Sequence, residues 1–208
     1  RIRATIYHRQ SNAHSWSWVG VVSIVEITPD THGVDIDLCY ATERNFTGHP
    51  IYAAAHCYLN TEAAAKLERA VELARGFDLH VRIFDALRPT TAQWVLWNHT
   101  PDPEFLADPR RGSPHSRGAA VDLSLFNDNG KLLDMGTPFD AFTPLSHHGS
   151  TGVPLPAQRN RMFLLGLMTT AGWDFYGNEW WHYQLFDSHR YPLIADNALP
   201  KRMMAPRQ

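Results

Sequence analysis

Cysteine is scarce in this chain of 208 residues: Cys39 and Cys57 are the two present, and they are not spaced as a CxxC pair. That excludes a disulfide-built scaffold and a thiolate metal cluster, and leaves either two buried thiols or a single bridge. No apolar run is long enough to span a bilayer, so no membrane span is expected. Neither charge sign dominates: 19 Lys and Arg against 21 Asp and Glu give a formal net charge of -2. Without a basic run there is no nucleic-acid footprint. Internal repeats and linker-like segments are also missing, and the length suits one domain with a full core. What the chain has in quantity is histidine (12) and tryptophan (7), material for metal or aromatic-lined sites.

The chain opens on RIRATIYHRQ, and WSWVGVVSIV follows, an order shared with signal peptides. No small-residue cleavage site comes next, so VVSIVEI reads as a first strand. Residues 1 to about 15 are expected to be a poorly ordered extension. HGVDIDLCYA alternates Val34, Ile36, Leu38 and Tyr40 against Asp35, Asp37 and Cys39, which predicts a half-buried strand. NTEAAAKLERAVELARG predicts a helix capped by Asn60 or Thr61 and ended by Gly76, with Leu67, Ala70, Leu73 and Ala74 on one face. HVRIFDAL is a strand broken by Pro89, and TTAQWVLWNH a helix with Thr90 as its cap. AAVDLSL is a strand, with DNG turning it into a hairpin. Pro156 opens a further helix that ends at Gly172, and EWWHYQL is strand material. The tail from Tyr191 is irregular. The mixture predicts one α+β domain, a central antiparallel sheet flanked by helices.

One acid stands out. In AAVDLSL, Ala120, Asp122 and Ser124 share one face, opposite the apolar Ala119, Val121, Leu123 and Leu125. A carboxylate inside a strand needs compensation, because burying it alone costs several kcal/mol. His115 lies just upstream, beyond a turn that Pro114 and Gly118 can bend. In EWWHYQL, Trp180, His182 and Gln184 share a face. If that strand pairs beside AAVDLSL, His182 joins Asp122 and His115. Two imidazoles and one carboxylate make a three-ligand zinc site with a fourth position left open. Glu179 fits as a general base if it lies in the turn before the strand, where Gly177-Asn178 would put it.

With these motifs in place, the chain resembles a known family. SPHSRGAAVDLSL and EWWHYQL resemble the S-x-H-x-x-G-x-A-x-D and E-x-W-H signatures of the zinc D-Ala-D-Ala peptidases, a superfamily that also holds the hedgehog zinc domain. CYATERNFTG, DALRP, the SRG of the first signature and DMGTPFDAF narrow this to D-alanyl-D-alanine dipeptidases of the vancomycin-resistance (VanX) type. The resemblance runs from about Val21 to Leu185. It implies one zinc ion per chain on His115, Asp122 and His182, with Glu179 as general base. It further implies that Arg88 stabilises the oxyanion, and that Tyr40, Ser113 and Asp140 hold the dipeptide, Asp140 taking its ammonium and Ser113 its carboxylate end. From the residues alone, Tyr40 could instead be packing, Ser113 a turn residue, Asp140 a helix cap and Arg88 a surface residue. Leu87 stands where the family often has Tyr, and Pro114 where Ser or Asn is common.

The expected activity is hydrolysis of D-Ala-D-Ala to two D-Ala, for wall-precursor removal or D-Ala salvage. The rivals are a carboxypeptidase or endopeptidase acting on longer wall peptides, and a non-catalytic zinc-stabilised binding module. The expected compartment is the bacterial cytoplasm, with the periplasm as the alternative; the sequence says nothing of oligomeric state.

Overall fold

The computed structural model describes residues 3–8 and 19–206. In chain order the elements are β1 (Arg3–His8), β2 (Val19–Glu26), the short helix α1 (Pro29–His32), β3 (Asp35–Ile36), β4 (Tyr58–Asn60), α2 (Thr61–Arg75), β5 (Leu79–Asp85), α3 (Thr90–His99), β6 (Ala120–Asn127), α4 (Leu155–Thr170), β7 (Asp174–Phe175) and β8 (His182–Gln184). The α+β class holds, but the expectation of one antiparallel sheet does not. There are two sheets, β1-β2-β4 and β3-β5-β6-β8-β7, and the larger is mixed because β3 runs parallel to β5. The parallel step arises because β3 and β5 are joined through β4 and α2, a connection long enough to bring the chain back in the same direction.

The run VVSIVEI lies in β2, and Arg3–His8, inside the stretch expected as an extension, pairs antiparallel to it. Residues 9–18 lie outside the described residues. The strand expected over residues 34–40 is corrected: Asp35–Ile36 pair, Asp37 N–H still donates to Ile83 O, and the chain then winds into a 3-10 turn over Cys39–Ala41. Local side chains favour the turn. Thr42 Oγ1 donates to Cys39 O at 2.9 Å, and Asn45 Nδ2 donates to Thr42 O at 2.7 Å, offering those carbonyls partners other than a ladder.

Helix α2 forms as expected. Asn60 Oδ1 accepts the Ala63 N–H at 2.8 Å, and Leu67, Ala70 and Ala74 are fully buried against the larger sheet. Helix α3 spans TTAQWVLWNH as expected, but Pro89 rather than Thr90 occupies the cap position, and the Thr90 N–H donates to Ile194 O. The DNG turn forms, with Gly130 N–H donating to Asn127 O and Gly130 at φ +75°, but the returning arm pairs at a single bridge, Phe126 with Leu132. Cys39 and Cys57 are both free and buried. Among the described residues, no helix is long and apolar enough to cross a membrane.

Helix α4 carries an unexpected feature. Arg161 is 0 % exposed and faces carbonyls rather than a carboxylate. Its Nε donates to Met135 O at 2.7 Å, and its Nη1 to Leu145 O at 2.7 Å and His147 O at 3.0 Å. These bonds pin the loop between β6 and α4 at both ends. Arg161→Leu should leave Met135 O and Leu145 O without partners, while His147 O keeps the Ser150 N–H. At ~1.5–3 kcal/mol per bond to a charged group, partly offset by relaxation and water entry, a loss of at least about 3 kcal/mol is expected in urea unfolding. An unchanged midpoint would show that the loop is held by other contacts.

Candidate active site

The pairing of β6 with β8 sets Asp122 directly opposite His182. His115 reaches the same point from a 3-10 turn (His115–Arg117) that leads into β6. Gly118 closes that turn at φ +61°, where a Cβ would stand 3.0 Å from the Asn60 backbone nitrogen, so a glycine is what lets the turn lie against β4. All three ligand-type residues are buried.

Their tautomers follow from their outer partners. His115 Nδ1 lies 2.7 Å from Ala86 O, which can only accept, so Nδ1 carries the proton and Nε2 a lone pair. His182 Nε2 lies 3.1 Å from Gln184 Oε1, which puts the lone pair on Nδ1. His115 Nε2, His182 Nδ1 and Asp122 Oδ1 then face one another at 3.0, 3.1 and 3.3 Å. Three electron-rich atoms in contact with no proton among them repel unless a cation lies between. Atoms ~2.0–2.1 Å from a tetrahedral ion stand roughly 3.3 Å apart, so the triangle fits a metal. Among the described residues, this triad is a group whose ligand atoms converge closely enough to hold one.

Glu179 lies in the turn before β8, with Oε2 3.8 Å from His182 Nδ1. Burial, reinforced by the Asp122 carboxylate, pushes its carboxyl well above the ordinary range, while Arg88 opposes the shift. Burial would also raise Asp122, but positive charge at His115 and His182 overcomes it and holds Asp122 low, as a cation set among the three would.

Arg88 follows β5 and is not a surface residue; it is 5 % exposed. Its Nε donates to Asp85 Oδ2 at 2.9 Å, its Nη2 stands 2.8 Å from the same oxygen and 3.7 Å from Asp122 Oδ2, and its Nη1 donates to Gln93 Oε1 at 3.0 Å. The guanidinium also lies 4.8 Å over the Tyr40 ring.

Asp140 sits in the loop that Arg161 pins. Its backbone is left-handed at φ +59°, and no helix starts there, so it is not a helix cap. Tyr40 Oη donates to its Oδ1 at 3.2 Å, whereas its Oδ2 is enclosed with no partner. Burial first, then the Asp122 carboxylate, pushes this carboxyl well above its usual range. Ser113 is buried, and its Oγ accepts the His115 N–H at 3.2 Å, leaving its own proton free to donate.

Tyr40, Arg88, Ser113, His115, Asp122, Asp140, Glu179 and His182 all line one cavity of about 300 Å³, closed on its other side by residues 103–107 and Tyr176. Sequence reasoning missed Asp85, Gln93 and this wall. Asp85 stands three residues before Arg88 in the quoted DALRP, where its burial in a strand end was the available signal. His147 and His148 stand apart: His147 lies 3.6 Å from Glu104, and His148 packs against Phe175 and Tyr183.

With that geometry established, comparison places the chain. A family model described as D-ala-D-ala dipeptidase matches residues 19–200. The D-alanyl-D-alanine dipeptidase of Escherichia coli (strain K12) is 42% identical over 176 residues, 85% of this chain and 90% of that protein. The D-alanyl-D-alanine dipeptidase of Enterococcus faecium is 34% identical over 177 residues, 75% of this chain and 88% of its own. That of Streptomyces coelicolor (strain ATCC BAA-471 / A3(2) / M145) is 34% identical over 174 residues, 74% and 86% of the two chains. The chain therefore belongs to the D-Ala-D-Ala dipeptidase family of metallopeptidases and is an enzyme, a hydrolase of peptide bonds.

Proposed function

We propose that this enzyme is a zinc-dependent dipeptidase that splits D-Ala-D-Ala into two D-Ala, with Glu179 as its general base. What carries the proposal is the cavity itself. A metal-ligand triad, an enclosed carboxyl beside it, a guanidinium and an orphaned carboxylate oxygen face one space of about 300 Å³.

Two imidazole nitrogens and one carboxylate oxygen suit zinc better than magnesium or calcium, which prefer all-oxygen shells. A bound zinc ion would polarise the scissile carbonyl and make water acidic enough to be deprotonated near neutral pH.

The chain's own residues do the rest. Glu179, with its proton affinity raised by burial, takes a proton from the attacking water and returns it to the leaving amine. Arg88, fixed by Asp85, presents N–H donors where negative charge grows on the carbonyl oxygen. Asp140 offers Oδ2 to the substrate ammonium, which supplies the partner this atom lacks and restores the ionised form that burial disfavours. Tyr40 holds Oδ1 and so aims the carboxylate. Ser113 donates its hydroxyl to the carboxylate end of the dipeptide. Residues 103–107 and Tyr176 keep bulk water and longer chains out.

Purified protein should contain about one zinc per chain, and replacing His115, Asp122 or His182 by Ala should lower that content in atomic absorption. Full occupancy in all three variants would remove them as ligands. Glu179→Gln should keep its zinc and lose ~10²–10⁴-fold in kcat on D-Ala-D-Ala. Near-normal turnover would move the base elsewhere.

The Asp140 role separates a dipeptidase from a carboxypeptidase. Breaking a desolvated charge pair costs about 3–5 kcal/mol, on the order of 10²–10⁴-fold in kcat/KM. Asp140→Ala should lose that factor on D-Ala-D-Ala, and N-acetyl-D-Ala-D-Ala should be a poor substrate of the unaltered enzyme by a similar one. If a pentapeptide ending in D-Ala-D-Ala is cleaved as well as the dipeptide, the enzyme is a carboxypeptidase.

A further inference from the structure

Gln93 lies in α3, outside the cavity, and is 1 % exposed. Both ends of its amide are used. Oε1 accepts from Arg88 Nη1 at 3.0 Å, and Nε2 donates to Ala107 O at 2.8 Å. Ala107 ends the 103–107 segment that closes the cavity. One side chain therefore touches the guanidinium on one side and the cavity wall on the other.

The two bonds have different consequences. Asp85 grips Arg88 along its Nε and Nη2 edge, so the Nη1 edge is held by Gln93. A guanidinium gripped on one edge alone can swing about that edge, and its remaining donors then sweep through an arc. A misplacement of about 1 Å is enough to cost ~10²-fold in rate. The wall has other ties: Tyr176 Oη donates to Glu104 O at 2.8 Å, and Phe105 stacks on Phe142 with centroids 4.9 Å apart. Both lie toward the exposed mouth. At the buried end Leu106 packs into the core, and the bond from Gln93 is the polar tie there.

We propose that Gln93 is a positioning residue with two duties on one amide: its Oε1 fixes the aim of Arg88, and its Nε2 fixes residues 103–107 beside it. This rests on Arg88 facing the developing oxyanion. A glutamine that only filled space in α3 would affect stability and leave the chemical step alone.

The test uses the zinc-loaded full chain and four variants: Gln93→Met, Gln93→Glu, Arg88→Ala and the double variant Arg88→Ala/Gln93→Met. Gln93→Met keeps length but loses both bonds; Gln93→Glu keeps an acceptor for Arg88 and loses the donor to Ala107. Arg88→Ala should lower kcat by ~10²–10³-fold. Gln93→Met should lower kcat on D-Ala-D-Ala by ~10–100-fold with KM changed less than about threefold. Gln93→Glu should recover kcat to within about threefold of the unaltered enzyme, because the arginine tie survives. In both Gln93 variants the amides of residues 104–107 should exchange hydrogen faster. Adding Gln93→Met to Arg88→Ala should cost less than about threefold more, as expected of two residues acting through one contact.

The outcomes separate the two ideas. Normal turnover in Arg88→Ala would overturn the role of Arg88. A crippled Arg88→Ala beside a fully active Gln93→Met would overturn the role of Gln93 alone. Losses that simply add in the double variant, unchanged exchange at 104–107, or a Glu variant as slow as the Met variant would each overturn it too. If Gln93→Met does not fold, the Glu variant still decides, through its kcat and its exchange.

Discussion

Asp122, Asp140 and Glu179 crowd one cavity beside a single guanidinium, which Asp85 holds from behind the cavity lining. Asp85 is paired with Arg88 outright, and Asp122 stands near it, leaving Asp140 and Glu179 to face the Asp122 charge with little relief. Low dielectric makes that repulsion strong. The cavity is thus short of positive charge by construction. It can be relieved by protonation, which the raised Glu179 and Asp140 carboxyls express, or by cations that enter from outside. A divalent ion at the triad and an ammonium at Asp140 are the two kinds of cation that the donor atoms fit. Under the proposed role of Asp140 the same deficit would give selectivity, since an anion or a neutral amide in place of an ammonium would leave Asp140 uncompensated.

The sheet makes this crowding possible. Asp85 pairs across from Asp122 in the β5–β6 ladder, and Asp122 across from His182 in the β6–β8 ladder, so three polar side chains stand in a row across the sheet. A one-residue slip of β8 would turn His182 to the opposite face. Apolar burial guards the register. Val121, Leu123, Leu125 and Tyr183 are fully buried, so the ladder cannot slip without exposing them. Metal geometry is held in place by hydrophobic packing on the other side of the same strands.

Much of the site was legible because period-two patterning is local. AAVDLSL places Asp122 among small residues, and EWWHYQL places His182 and Gln184 on one face, both from spacing alone. Helix α2 was equally readable, since Asn60, the Ala-rich turns and Gly76 all agree. Tyr40 was misread in its setting. Its alternating neighbours predict a strand, and the deciding side-chain bonds of Thr42 and Asn45 lie beyond that pattern. The mixed sheet was hidden because β3 pairs over two residues only, too short to carry a signature of direction. Gln93 and Arg161 were silent for another reason. Each sits in a helix whose exposed and buried faces are weakly sorted, and each acts on carbonyls of distant loops, which no sequence spacing encodes.

Those two side chains share a physical role. The loops that carry Asp140 and the 103–107 wall have almost no ladder partners, yet both must hold a fixed shape around a small cavity. Long donor side chains from rigid helices supply what a sheet would otherwise provide. Arg161 on α4 donates to carbonyls at 135, 145 and 147, and Gln93 on α3 donates to the carbonyl at 107. A helix fixes the root of such a side chain, and two or more hydrogen bonds fix its tip, so the loop takes on the stiffness of the helix. Burial raises the stakes, because a carbonyl that loses its donor there has no water to replace it. The precision of the cavity thus resides largely in α3 and α4, elements that contribute no ligand and no base. Substitutions on their inner faces should therefore be felt in the chemistry before they are felt in the fold wherever, as at Gln93 beside Arg88, the side chain also touches a group proposed to meet substrate.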